Sequence, residues 1–430
     1  MRKRSFFGLT KPCFNYELAT DVSDMSAQPV TIPTPETVTL YIKKELKQTS
    51  SSLKVGTPVK TGQRLVLSED DDVSTISSVT GTICAIAPFL ADYGQKWTAI
   101  TIKTDPQDDI DEAFAEAAKA PSLETLSNFL SACPGEPDIG PLVDERNPVH
   151  TIIIYGGNSD LLIDTSLYIL KTKVDTINAG IEVLRKATGI EEIVIAVPEE
   201  SVQNYSGHLD AKIQPFSSQY PYAQPLMILQ NLTGRLPDER GTGSMGIHFI
   251  RAEAVASIGQ AFSEGILPVQ KTITVIGKDG AKHLARARMG TSAGLLLSTF
   301  GIEVNDQDKI IFGGPMTGNA IYSETLPIGP DTDAIMVQDK SVIPYYSDYP
   351  CINCGDCVSI CPANVPVNLL VRFLEAGQYT EGADLYDLYS CIECGLCSYV
   401  CVSRIPIFQH IKLAKYELGR MLSAEEMNEQ

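Results

Sequence analysis

The stretch Cys351-Ile-Asn-Cys354-Gly-Asp-Cys357-Val-Ser-Ile-Cys361-Pro362 recurs forty positions later as Cys391-Ile-Glu-Cys394-Gly-Leu-Cys397-Ser-Tyr-Val-Cys401-Val402. Eight of the chain's eleven cysteines lie in these two runs. Three thiolates two residues apart sit on one tight loop and reach three corners of a cubane, with a fourth on a following helix. The spacing predicts two 4Fe–4S clusters and one-electron chemistry. Structural zinc sites would favour two separated C-x-x-C pairs in a tetrahedron. Disulfides would need an oxidising compartment, and Met1-Arg-Lys-Arg-Ser-Phe-Phe-Gly-Leu is too short in its apolar part for a secretory signal. Cys13, Cys84 and Cys133 stand alone and are expected to be buried, inert thiols.

Where two such motifs share a domain, the fourth cysteine of each ligates the other cluster. The expected ligand sets are Cys351, Cys354, Cys357 and Cys401 for one cluster, and Cys391, Cys394, Cys397 and Cys361 for the other. Ile352, Ile392 and Ile405 are expected to shield them from water. The five histidines (His150, His208, His248, His283, His410) are scattered and suggest no metal site.

At 430 residues the chain has room for two to four domains. It holds no run of about 18 apolar residues, so no transmembrane helix is expected. A net charge of −19 argues against nucleic acid and against direct binding to anionic lipid. Membrane attachment would come through protein partners.

The pattern along the chain is α/β and multidomain. Residues 1–35 lack periodicity, carry Pro12, Pro29, Pro33 and Pro35, and read as an extended arm. Residues 36–104 show short β segments with turn glycines Gly56, Gly62 and Gly81, as in the two halves of a barrel-sandwich. The connecting stretch Glu69-Asp-Asp-Asp-Val-Ser-Thr holds no lysine for a swinging arm, so a structural module is expected. Residues 105–148 are an acidic, proline-rich linker with helices near 110–120 and 123–130. In 149–268, strand Thr151–Tyr155, a helix burying Leu170, Val174, Ile177, Ile181 and Leu184 and stopping at Gly189, and strand Glu192–Val197 predict a parallel, Rossmann-like βαβ unit. The loop Gly241-Thr-Gly-Ser-Met-Gly246 is expected to open a helix. Residues 269–340 suggest a β-grasp (SLBB-like) module, with a helix near 292–300. In 341–430, helices near 367–374 and 383–389 between the motifs favour an α-helical two-cluster ferredoxin domain over the compact βαβ type.

This order of pieces resembles the RnfC family, the cluster-bearing peripheral subunit of the Rnf ion-pumping electron-transport complex. Tyr220-Pro221, Leu232-Thr-Gly-Arg235, Gly313-Gly-Pro-Met-Thr-Gly318 and both cysteine motifs carry the resemblance, which covers nearly the whole chain. It implies an electron-transfer subunit at the cytoplasmic face of the cell membrane. The implied partners are the membrane subunits, the ferredoxin-like subunit and ferredoxin. In this family the α/β layer resembles the flavin- and NADH-binding subunit of respiratory complex I. Three expected flavin elements are altered together. No G-G-A-G-F-P-T loop precedes Thr151. The acidic G-A-E-C-E-P loop reads Gly156-Gly-Asn-Ser-Asp160-Leu. Ala223 and Pro225 stand where Gly and Glu follow Tyr220-Pro221. The resemblance therefore implies a lost flavin/NADH site, with FMN not expected. It fits the NAD-independent branch resembling methanogen complexes, which hand electrons from ferredoxin toward a multihaem cytochrome c. Three other readings stay open: an FMN-bearing, NADH-oxidising RnfC, a soluble corrinoid-activating iron–sulfur reductase, and a structural adaptor.

Overall fold

A computed structural model describes residues 12–18, 28–46, 53–68, 73–237, 241–343 and 349–428. Four sheets form among them. The central one is parallel, in the order Lys212–Phe216, Glu192–Pro198, Thr151–Tyr155, Ile247–Arg251. Unbroken apolar runs such as Ile152-Ile-Ile154 are buried on both faces, as a parallel sheet covered by helices requires. The strand order reverses between Thr151–Tyr155 and Ile247–Arg251, which opens a crevice at their carboxyl ends.

The helix expected after Tyr155 is two helices, Thr165–Thr172 and Val174–Thr188, broken at Lys173 (φ −119°, ψ 24°). Leu170, Ile177, Ile181 and Leu184 still share one buried face, and Gly189 caps the second helix at φ 72°. Helix Ala252–Glu264 crosses it backbone to backbone: a Cβ on Gly259 would overlap the Thr176 carbonyl. The loop at 241–246 leads through a 3₁₀ turn, Thr242–Met245, into strand Ile247–Arg251 and not into a helix. The Ile-His-Phe-Ile run after it pairs with Thr151–Tyr155, and β pairing wins there.

Strands Thr37–Ile42, Lys96–Thr104, Gly81–Leu90 and Pro58–Val59 form an antiparallel sheet, beside the pair Arg64–Val66 and Ser74–Ile76. Alternate residues Val38, Leu40 and Ile42 point into a core shared with the α/β layer, to which helices Ala113–Ala117 and Leu123–Leu130 add Phe114, Leu126 and Leu130. The acidic stretch at 69–72 lies outside the described residues.

The largest sheet runs Val30–Thr31, Lys282–Arg288, Gln270–Ile276, Ala334–Gln338, Lys309–Phe312, Asn319–Ile321, with helix Ala293–Thr299 against one face. Its first strand belongs to the arm, which adds Val30 and Thr31 parallel to Ala285 and Arg286 and buries Ile32. Where this sheet meets the α/β layer, Lys271 is fully buried against Glu253 and Asp333, and Arg251 donates to Asp333 at 2.6 Å. Burial pushes the Asp333 carboxyl up, but the Arg251 and Lys271 cations more than offset it.

The C-terminal part is helical: Asp356–Ile360, Val367–Glu375, Tyr379–Tyr386, Leu396–Val400 and Ile407–Asn428 enclose their own core. Among the described residues no helix is long and apolar enough to cross a membrane.

Candidate iron–sulfur site

The forty-residue repeat in sequence is a repeat in backbone. Asn353 and Glu393 take φ 57° and 56°, Gly355 and Gly395 φ 78° and 73°, and Asn364 and Arg404 φ 57° and 55°. Non-glycine residues hold such conformations where the surroundings over-determine them, commonly at functional sites. Here the left-handed turn aims an amide at sulfur: Asn353 N–H donates to Cys351 Sγ, and Glu393 N–H to Cys391 Sγ, both at 3.4 Å. Each loop then enters a one-turn helix, Asp356–Ile360 or Leu396–Val400, that carries the third cysteine.

The two repeats exchange their fourth cysteines. A cavity is lined by Cys351, Cys354 and Cys357 from the first motif and Cys401 from the second, with Ile405 and Ile407 behind them. Cys361 stands instead within electrostatic reach of Cys391, Cys394 and Cys397. Among the described residues no three His, Cys, Asp or Glu side chains are close enough to grip one bare ion. The thiols ring a space, which suits a many-atom cluster. Burial pushes the thiols of Cys357 and Cys391 up to about 11 and that of Cys394 to about 12, and neighbouring thiols add to the rise. Such a set ionises together only when a bound metal supplies the positive charge. The donor set therefore fits iron–sulfur clusters.

A family model described as a 4Fe-4S dicluster domain matches residues 350–405. The C subunit of the proton-translocating ferredoxin:NAD(+) oxidoreductase complex of Clostridium ljungdahlii is 25% identical over 410 residues, covering 90% of this chain and 89% of that protein. The C subunit of the ion-translocating oxidoreductase complex of Rhodobacter capsulatus is 26% identical over 245 residues, 54% of this chain and 47% of that protein. Over much of its length the chain is similar to C subunits of ion-translocating oxidoreductase complexes. It spans about half the length of the Rhodobacter relative. An NAD+-reducing nickel–iron hydrogenase crystal structure in the air-oxidised state aligns over 62% of this chain and 56% of its own, at 14% identity and a TM-score of 0.42.

The two sites differ in depth. Cys354 is exposed, whereas Cys391, Cys394 and Cys397 are buried. Ile392 and Ile405 are buried as expected, Ile392 among residues of the α/β layer, but Ile352 is 66% exposed. Cys133 is buried; Cys13 and Cys84 are exposed, contrary to the expectation for isolated thiols. No histidine lines the cavity; His248 is held on the Asp138 carbonyl at 2.8 Å.

The deep site abuts the carboxyl ends of the parallel strands. Ile392, Cys394 and Leu396 share a core with Phe216, Tyr220, Met227 and Ile247, with Phe14 and Met316 packed against it. Asp160, the acid of the loop after strand Thr151–Tyr155, is buried. Its carboxylate accepts from Leu161 N–H at 2.6 Å, Thr317 N–H at 2.7 Å and the Thr317 hydroxyl at 2.6 Å, stapling the α/β layer to the Gly313–Gly318 loop. The Phe216 ring lies where a Cβ on Gly157 would stand. Gln224 donates to the Ser159 carbonyl at 2.6 Å and ties the two loops together. These contacts commit the Asp160 carboxylate and the Gln224 amide to partners within the protein. Sequence reasoning missed Phe216 and Gln224, whose roles carry no local signature, and met Met316 only within the Gly313–Gly318 stretch.

Proposed function

We propose that this chain is the electron-transfer RnfC subunit of a membrane-bound Rnf complex, relaying electrons in ferredoxin-linked, redox-driven ion translocation. Cys351, Cys354, Cys357 and Cys401 would hold one 4Fe–4S cluster; Cys391, Cys394, Cys397 and Cys361 would hold the second. The observation that carries the reading is the exchange of Cys361 and Cys401 between two matched loops. Bound clusters supply low-potential one-electron transfer. The protein's own part is to present the sulfurs, donate the Asn353 and Glu393 amides to them, and exclude water with Ile392, Leu396 and Ile405. The closed contacts around Asp160, Gly157 and Gln224 support a chain without a working flavin/NADH site. Its place would be the cytoplasmic face of the membrane, on the membrane and ferredoxin-like subunits, with ferredoxin as donor and a multihaem cytochrome c beyond. We read 36–104 as the barrel-sandwich, 149–268 as the Rossmann-like layer, 269–340 as the β-grasp module and 341–430 as the ferredoxin domain.

Anaerobic loading followed by iron and sulfide analysis tests this: about eight of each per chain, with two four-iron EPR signals, are expected. One cluster or none would refute it.

A further inference from the structure

We propose that Lys415 sets the two cluster sites apart in reduction potential, by raising that of the deep site alone. The proposal rests on the two-cluster reading above. Lys415 lies on helix Ile407–Asn428, and its Nζ donates to the Cys391 carbonyl at 2.7 Å and to Glu393 Oε1 at 2.9 Å. Its side chain is only 21% exposed. Water therefore screens this ammonium less than it would a surface lysine, and it is pinned to the backbone of a ligand residue. Reduction adds a negative charge to a cluster, and a fixed cation beside it stabilises the reduced form more than the oxidised one.

The internal repeat makes the asymmetry specific. Counting back forty residues, Lys415 falls on Glu375 and Glu393 on Asn353. The shallow site thus has a neutral residue on its loop, Asn353, which accepts from the Asn368 amide at 2.8 Å. At the lysine position it has an exposed carboxylate. Arg404, next in sequence to Ser403 of the shallow cavity, is exposed, and its charge is screened. One repeat therefore carries an anchored, half-sheltered cation where the other carries an anion in water. Glu393 partly neutralises Lys415 and acts in the opposite direction.

The test is an EPR-monitored potentiometric titration of the iron-loaded full chain, with Cys394→Ala used to assign the deep site's signal. Lys415→Met lowers the midpoint of that signal and leaves the other in place; Lys415→Arg keeps it near the parent value. Glu393→Gln, which spares the lysine, raises the same midpoint. Unmoved midpoints, or equal shifts of both, in Lys415→Met overturn the proposal. If that variant fails to load the deep site, Glu393→Gln decides, and an unchanged or lowered midpoint overturns the proposal. A parent protein that loads fewer than two clusters overturns the underlying reading as well.

Discussion

The phenol of Tyr220 donates a 2.6 Å hydrogen bond to the carbonyl oxygen of Cys394, across 174 positions of sequence. Burial pushes its hydroxyl far above the ordinary tyrosine range, so it remains a neutral donor. Both partners are buried. Tyr220→Phe keeps the ring packing and leaves that carbonyl without its donor. A loss of about 1–3 kcal/mol is expected in denaturant unfolding, because an orphaned buried acceptor carries its full desolvation cost.

The exchanged fourth cysteines make paired outcomes. Cys401→Ala is expected to remove the same EPR signal as Cys354→Ala, and Cys361→Ala the same signal as Cys394→Ala. If Cys361→Ala instead matched Cys354→Ala, each motif would be closing its own cluster, and the crossed assignment would fall.

Flavin binding should be absent from the loaded protein. Titrating FMN while following its fluorescence should give no saturable quenching, and NADH should leave the cluster absorbance unbleached. The Asp160 carboxylate and the Gln224 amide are already committed to Thr317 and Ser159. Stoichiometric FMN would show that these contacts open.

Lys271→Met should be strongly destabilising, by about 3–5 kcal/mol, because it strands a buried carboxylate at Glu253. Burial pushes Glu253 upward and Lys271 draws it back. Without the lysine its folded pKa rises farther above the unfolded value. A raised carboxyl pKa favours the folded state below the unfolded pKa, and that contribution is lost as pH rises through the folded pKa. The deficit against the parent should therefore be larger at alkaline than at mildly acidic pH, as urea midpoints at the two would show.

Much of the architecture was legible locally. Strand Thr151–Tyr155 and helix Leu123–Leu130 fall where the sequence places them, and the structure adds a Ser122 cap on the helix. Other elements were not. The break at Lys173 leaves the apolar stripe intact, so periodicity is blind to it. The strand after Gly246 depends on a partner almost a hundred residues earlier, and Val30–Thr31 on one more than two hundred and fifty later. Ile352 and Ile392 occupy equivalent positions in identical Cys-Ile contexts; only the α/β layer lying over one of them decides which is buried.

The amino-acid sequence alone singled out which side chains could share a cluster, because cysteine spacing along one chain limits how far apart the sulfurs of a loop can stand. It also showed two such loops, since the repeat carries the same cysteine spacing and the same turn glycine at Gly355 and Gly395. What only the tertiary structure decided is that the twins are unequal. One faces solvent, while the other is pressed against Tyr220 and Met316 with Lys415 on its backbone. Depth and local charge come from elements brought in from elsewhere in the chain, and no spacing within a motif encodes them.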